Sequence, residues 1–366
     1  MNSLLTPYLP DQHIIRSTND FIDILQTNRS QGIVASLDVE SLFTNVPIDA
    51  TIEIILKRAY NHSTLPALKI PPLILRQLLE LCTKHAPFRT PTGELYLQVD
   101  GIAMGSPIGP LFANFYAGDL EENVFNNYFQ KPRIYTRYVD DIFLQIDTEE
   151  QIIQLKDIFE QQSILKFTYE MNIGNKLPFL DILVDSAETQ FKTTIYRKPT
   201  NFGTCMSGAG ECTEKYKISV IQSFLNRAYK VNQNWQDFHS ELQYIKQMLI
   251  NNNYSNTLVD KQISKFIDSK FTTTTIEPNK PTITIYYQNQ MHSNYKLDER
   301  ILKNIVLENV TCTQPDSKVN LVIYYKNKQS MNMIMRNNLN PPPPPMHQTN
   351  LVYKFHCPIQ HCKPVS

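Results

Sequence analysis

Asp140 and Asp141 are adjacent carboxylates within the run Arg133 to Ile146, with β-branched and aromatic residues on both sides. Such residues favour strands and Asp is tolerated in turns, so the pair is expected at the tip of a hairpin. Like charges side by side repel, and a cation is the natural compensator. Hard divalent ions take oxygen ligands and leave part of their shell to water and substrate phosphates, so the pair points to phosphoryl-transfer chemistry. Alone, Tyr138 to Asp141 is weak evidence, because an Asp pair at a turn is commonly solvated surface. A metal site would need a further carboxylate, and Asp38 ends the apolar run Gly32 to Val39 one hundred and two residues earlier. An Asp at a strand end can equally cap neighbouring amides.

Two more features lie around these acids. Phe43 follows Asp38 by five positions, where the chain has left the strand, although a lone Phe is more often core. Between the acid clusters, the stretch Gln98 to Pro107 carries Gly101, Gly105, Ser106 and Pro107 ahead of an apolar run. Glycines before a helix mark backbone that something must approach closely, or an ordinary turn.

The elements that must position these residues read as an α/β mixture up to about residue 200. Gly32 to Val39 reads as a buried strand and Ile48 to Ala59 as a helix with Asp49 near its start; Pro71-Pro72 opens a second helix through Leu81. From about 205 to 260 two amphipathic helices are expected, on stripes from Val220 to Tyr229 and Phe238 to Leu249, parted near Asn232 to Asn234. Beyond 260 the signal weakens: Thr272 to Thr275 is polar, Thr282 to Tyr287 alternates like a strand, and Leu297 to Leu307 has helical spacing. Pro341 to Pro345 is a stiff polyproline spacer.

At 366 residues the chain can bury a sizeable core in two or three domains. Its 35 basic and 35 acidic residues cancel, so a nucleic-acid site must be a local patch, not a long basic surface. The six cysteines follow no disulfide framework, and residues 1–10 show no signal peptide, so an intracellular, reduced setting is expected. No stretch approaches the roughly 18 consecutive apolar residues of a membrane span, so no membrane partner is expected.

Taken in order, Ser36 to Pro47, Gln98 to Pro107 and Tyr138 to Asp141 resemble motifs A, B and C of a reverse transcriptase palm, in wording similar to the Penelope-like retroelements. Leu177 to Ile182 and Ile195 to Thr200 resemble that family's next blocks, and the likeness runs over about residues 20 to 260. It implies an α+β fold: a polymerase palm, an antiparallel sheet with packed helices, followed by a helical thumb or helix-turn-helix-like segment. The implied organisation is a partial reverse transcriptase domain over 1–200, the helical segment over 201–260, a connector over 261–340, and a polyproline linker with an incomplete GIY-YIG start over 341–366.

The resemblance also implies roles. Asp38, Asp140 and Asp141 would be catalytic and would bind two Mg²⁺ ions, with Mn²⁺ as a substitute. Phe43 would be a steric gate against ribose, and Gln98, Gly101, Gly105, Ser106 and Pro107 would line the nucleotide and template pocket. Leu177, Pro178, Phe179 and Leu180 would grip the primer, Arg197 and Lys198 would meet nucleic-acid phosphate, and Lys176 is offered as the acid that protonates pyrophosphate. The implied partners are an RNA template, a DNA primer and deoxynucleoside triphosphates, and the implied setting is nuclear. Cys357 and Cys362 are candidate zinc ligands, but a closed site needs four, so Zn²⁺ is not expected. Thirty-seven residues precede Asp38 and match no fingers block, so a missing nucleotide clamp is expected. A catalytically inactive nucleic-acid-binding remnant is the competing reading.

Overall fold

The computed structural model describes residues 1–61, 65–85, 87–89, 94–127, 130–271, 282–290, 294–310 and 318–326. Pro341 to Pro345, Cys357, Cys362, the GIY-YIG resemblance and Thr272 to Thr275 lie outside the described residues. Two compact units divide the described residues: 1–198 with 230–237, and 199–229 with 238–326.

In the first unit, α1 (Asn2–Leu5) and α2 (Thr18–Thr27) precede β1 (Ile33–Val39), a short α3 (Leu42–Asn45), α4 (Ile48–Tyr60) and α5 (Pro72–Thr83). A small hairpin, β2 (Pro87–Arg89) with β3 (Leu95–Leu97), leads to the long α6 (Gly109–Asn127). Then follow β4 (Ile134–Tyr138), β5 (Asp141–Ile146), α7 (Glu149–Gln162) and β6 (Phe167–Met171). Strands β4, β5, β1 and β6 form one antiparallel sheet in that order, so β1, an early strand, is central. A second antiparallel sheet is the meander β7 (Lys176–Phe179), β8 (Ile182–Asp185) and β9 (Lys192–Ile195).

Period-two alternation gives the four-stranded sheet two different faces. Ala35, Leu37, Val39, Ile142, Leu144, Tyr135 and Phe167 join a core with α4, α6 and α7. Helix α4 presents Ile48, Ile52, Ile55 and Ala59 to that core at helical spacing. Helix α6 buries residues around most of its circumference, as a central helix should. Its Gly118 leaves room for the N-terminal segment, since a Cβ there would sit 2.5 Å from Pro10 Cγ. The opposite face of the sheet is covered at one end only: Val34, Phe143 and Ile134 pack with Phe21, Ile22 and Leu25 of α2 and with Leu177, Phe179, Ile182 and Val184 of the meander. The other end of that face carries Asp38, Asp141, Thr168 and Glu170 by register.

The second unit holds most of α8 (Glu214–Val231, whose last residues belong to the first unit), most of α9 (Trp235–Asn251, whose first residues do too) and α10 (Asn256–Phe271). Ile221, Leu225, Phe238, Leu242, Ile245, Leu249, Val259 and Phe266 are buried along them. Two of the three helices match expectation; α10 extends past residue 260, where sparse apolar positions hide the helical period. The unit ends in β10 (Thr282–Gln290), α11 (Tyr295–Asn309) and β11 (Lys318–Lys326), with the two strands parallel. The alternation at 282 and the helical spacing at 297 are therefore real elements, and β11 is one the sequence reading lacks. Among the described residues, no helix is long and apolar enough to cross a membrane.

The rings of Phe21, Phe143 and Phe179 meet at centroid separations of 4.7 to 5.5 Å and join α2, the large sheet and the meander. Truncating a fully buried ring removes its transfer energy and leaves a cavity, so Phe21→Ala is expected to cost about 3–5 kcal/mol of stability in urea denaturation. A loss below about 1 kcal/mol would show that the cluster does not join these layers.

Candidate active site

The two acids at the hairpin tip sit where their neighbours dictate. Tyr138 pairs with Asp141 across β4 and β5, which leaves Val139 and Asp140 as a two-residue turn. Val139 has φ 57°, a positive value at the first central position of the turn, where the geometry that matches strand twist requires it. A β-branched residue adopts that conformation only under constraint, at a cost of order 1–3 kcal/mol. The constraint is visible in Arg137, whose Nη1 donates to the Val139 carbonyl at 2.9 Å.

On the neighbouring strand, Asp38 is the direct partner of Asp141 in the β1–β5 register. Three carboxylates from positions 38, 140 and 141 are thus brought to one end of the sheet, Asp38 exposed and the other two half-buried. Burial and then the charges of Asp140 and Asp38 push the Asp141 carboxyl up to about 6, while Lys198 acts in the opposite sense. Asp38 is raised as well, first by burial and then by Asp140, Glu170 and Glu40. Among the described residues no three His, Cys, Asp or Glu side chains already converge as a metal cage. The neighbourhood these acids share is set by the backbone register. The donors are all hard oxygens, which fit Mg²⁺ or Mn²⁺ and not a soft ion.

The glycine loop lies against the chain that follows Asp38. Ile102 N donates to the Phe43 carbonyl at 2.7 Å, and a Cβ on Gly101 would lie 2.4 Å from the Thr44 carbonyl oxygen. Gly101, at φ 67°, therefore meets both a conformational and a close-approach requirement. The half-buried ring of Phe43 lies beside the start of α6, with Cε1 3.5 Å from where a Gly109 Cβ would be. Ser106 N donates to the Ala103 carbonyl and Gly109 N to the Ser106 carbonyl, which turns the loop into α6. Exposed Gly105 sits at φ 88° with open space around it, exposed Pro107 accepts from Asn2, and Gln98 donates within the loop to the Asp100 carbonyl.

The meander residues divide in two. Leu177 and Phe179 are buried core, so their side chains hold the hairpin and are not free to touch a primer. Pro178 is half-buried, and Leu180, at φ 54°, forms the turn to β8 with Asp181. Arg197 is half-buried and Lys198 exposed, and Lys198 is the cation whose field reaches Asp141. Lys176 instead opens β7 opposite Asp185, at the end of the hairpin away from its turn.

Sequence reasoning missed Glu170 and the network below the tip. Arg137 is fully buried and Glu121 of α6 is 3% exposed. Arg137 Nε donates to Glu121 Oε1 at 2.6 Å and Nη2 to Oε2 at 3.2 Å, while Nη1 also donates to Asn114 Oδ1 at 2.7 Å. Tyr135 OH adds a bond to Glu121 at 2.9 Å. Burial would lower the Arg137 pKa, but the Glu121 charge more than offsets it and the group stays charged. The available signal was strand alternation, which puts Arg137 on the same face as Tyr135 and hence toward the helices.

Residues 1–172 match the family model described as reverse transcriptase (RNA-dependent DNA polymerase), and residues 212–264 match one described as an animal helix-turn-helix domain. No curated protein matches the chain. Among solved structures, telomerase from Candida albicans in complex with a TWJ fragment of telomeric RNA is similar over 73% of this chain and 49% of its own, at 10% identity and TM-score 0.51. An apo telomerase from Candida tropicalis truncated from its C-terminal domain aligns over 52% of this chain and 43% of its own, at 14% identity and TM-score 0.41. The Sicinivirus 3Dpol RNA dependent RNA polymerase aligns over 68% and 54%, at 14% identity and TM-score 0.41. The chain spans about half the length of these solved chains. Residues 1–172 are thus similar to a reverse transcriptase domain and residues 212–264 to a helix-turn-helix domain, and the likeness to the Candida albicans structure supports a polymerase-like fold.

The raised Asp141 carboxyl has a stability consequence. Its charged form is disfavoured in the folded state, so the cost is absent below the unfolded value near 4 and complete above about 6. Without divalent ions, Asp141→Asn is expected to stabilise the protein by about 1–2 kcal/mol at pH 7.5, after allowance for solvent screening, and to give no gain near pH 4. Thermal denaturation in chelator at both pH values measures it; a loss of stability at pH 7.5 would contradict the electrostatic assignment.

Proposed function

We propose that this chain acts as an RNA-directed DNA polymerase of Penelope-like type, joining a deoxynucleotide to the 3′-hydroxyl of a DNA primer on an RNA template. The observation that carries the reading is the register that sets Asp38 opposite Asp141, with Asp140 at the turn beside them. Asp38, Asp140 and Asp141 would hold two Mg²⁺ ions. When bound, these ions would make the primer hydroxyl a better nucleophile at neutral pH and offset the charge on the departing pyrophosphate.

The chain's own groups supply position. Backbone of the Gly101 to Pro107 loop, packed on Phe43 and Thr44, forms the floor against which a nucleotide would rest. Phe43, packed at the start of α6, would exclude a 2′-hydroxyl and favour deoxynucleotides. Lys198, whose charge acts on Asp141, would meet phosphate negative charge. The half-buried Leu180 turn, and not the buried Leu177 and Phe179, would meet the primer end. The helices that follow are proposed to cradle the template and primer duplex, and action in the nucleus belongs to this reading too.

Two outcomes test it. Purified protein should extend a DNA primer on RNA in Mg²⁺ or Mn²⁺, and Asp140→Ala should lower the rate by about 10³-fold or more. Primer–template binding without extension, unchanged by Asp140→Ala, would overturn the reading in favour of an inactive nucleic-acid-binding remnant. In the same assay, Phe43→Ala should raise the use of ribonucleotides relative to deoxynucleotides by about tenfold or more, a difference of roughly 1.4 kcal/mol. Unchanged discrimination would remove Phe43 from the nucleotide pocket.

A further inference from the structure

The chemistry above uses the carboxylates and leaves unexplained the charge buried beneath them. Ion pairs sealed from water seldom add stability over apolar side chains of the same volume, since both partners lose hydration. Arg137 and Glu121 are nonetheless the charged pair at the middle of the first core.

The guanidinium divides its donors between two structures. Nε and Nη2 face the Glu121 carboxylate, and Nη1 serves both Asn114 and the Val139 carbonyl. On the main chain, Arg137 N donates to the His13 carbonyl at 2.7 Å and Ile15 N donates to the Arg137 carbonyl at 2.9 Å, so the residue is clamped from both directions. Asn114 and Glu121 lie on α6, which begins where the Gly101 to Pro107 loop ends. A planar fork is needed to span Glu121 and a carbonyl at once; a lysine carries the charge without that reach.

From this arrangement we propose that Arg137 is a positioning residue for the metal site. Seated by Glu121 and Asn114, it holds the Val139 carbonyl, keeps the strained turn closed and so fixes where Asp140 and Asp141 present their carboxylates. One helix thereby ties the loop assigned to the nucleotide to the turn that carries the acids. The inference rests on the polymerase reading.

Equilibrium binding of Mn²⁺, followed by electron paramagnetic resonance, tests it independently of turnover. Arg137→Lys and Asn114→Ala should each weaken Mn²⁺ binding by about tenfold. Primer extension should show kcat down by a similar factor with the deoxynucleotide KM within about twofold, while far-UV circular dichroism is unchanged. Asn114→Ala removes a half-buried side chain that accepts from Arg137, so it decides the matter if Arg137→Lys does not fold. Mn²⁺ binding equal to wild type in the folded variants would overturn the role of Arg137. A wild-type protein that binds Mn²⁺ no better than Asp140→Ala would instead overturn the polymerase reading beneath it.

Discussion

The pairing of β1 with β5 is antiparallel, and its last rung sets Asp38 against Asp141. In a strand, neighbouring side chains point to opposite faces, so a slip of one residue would send Asp38 into the helix-packed core and bring Leu37 to the open end. The core prevents this: Ala35, Leu37 and Val39 on one face and Val34 on the other are all buried, and each needs its present side. Hydrophobic burial on two faces of one sheet thus decides where carboxylates stand that are themselves outside the core.

That placement is electrostatically costly. Three acids share one end of the sheet, and both Asp38 and Asp141 are harder to ionise than an isolated carboxylate. Such cost is expected at a site whose compensating charge arrives with a ligand, since strain and repulsion persist where the surroundings over-determine them. The surroundings here are the Phe21, Phe143 and Phe179 cluster behind the acids and the Arg137 network below the turn.

Much of this was legible from the sequence because the features are local. The Asp pair between β-rich runs marks a hairpin, the Gly32 to Val39 run marks a strand, and glycines before an apolar stretch mark a loop that turns into a helix. What stayed hidden depends on contacts between distant positions. Arg137 reads as one polar residue in a strand, and nothing nearby says that Glu121, with Glu122 beside it, is its partner. Leu177 and Phe179 belong to a stretch that resembles a primer grip, yet their burial comes from α2 and β5, elements far away in the chain. Helix α10 escaped because its core contacts rest on a few residues, Val259 and Phe266 among them, and one buried polar residue, Gln262.

The central claim is that Asp38, Asp140 and Asp141 form one divalent-metal centre. Anomalous diffraction from crystals soaked in Mn²⁺ tests it most directly, because it locates the ion without reference to activity. The expected result is anomalous density at ligand distance from Asp38 and from at least one of Asp140 and Asp141, lost in crystals of Asp140→Ala. Density confined to other carboxylates, or none at the end of the sheet in a well-ordered crystal, would contradict the account.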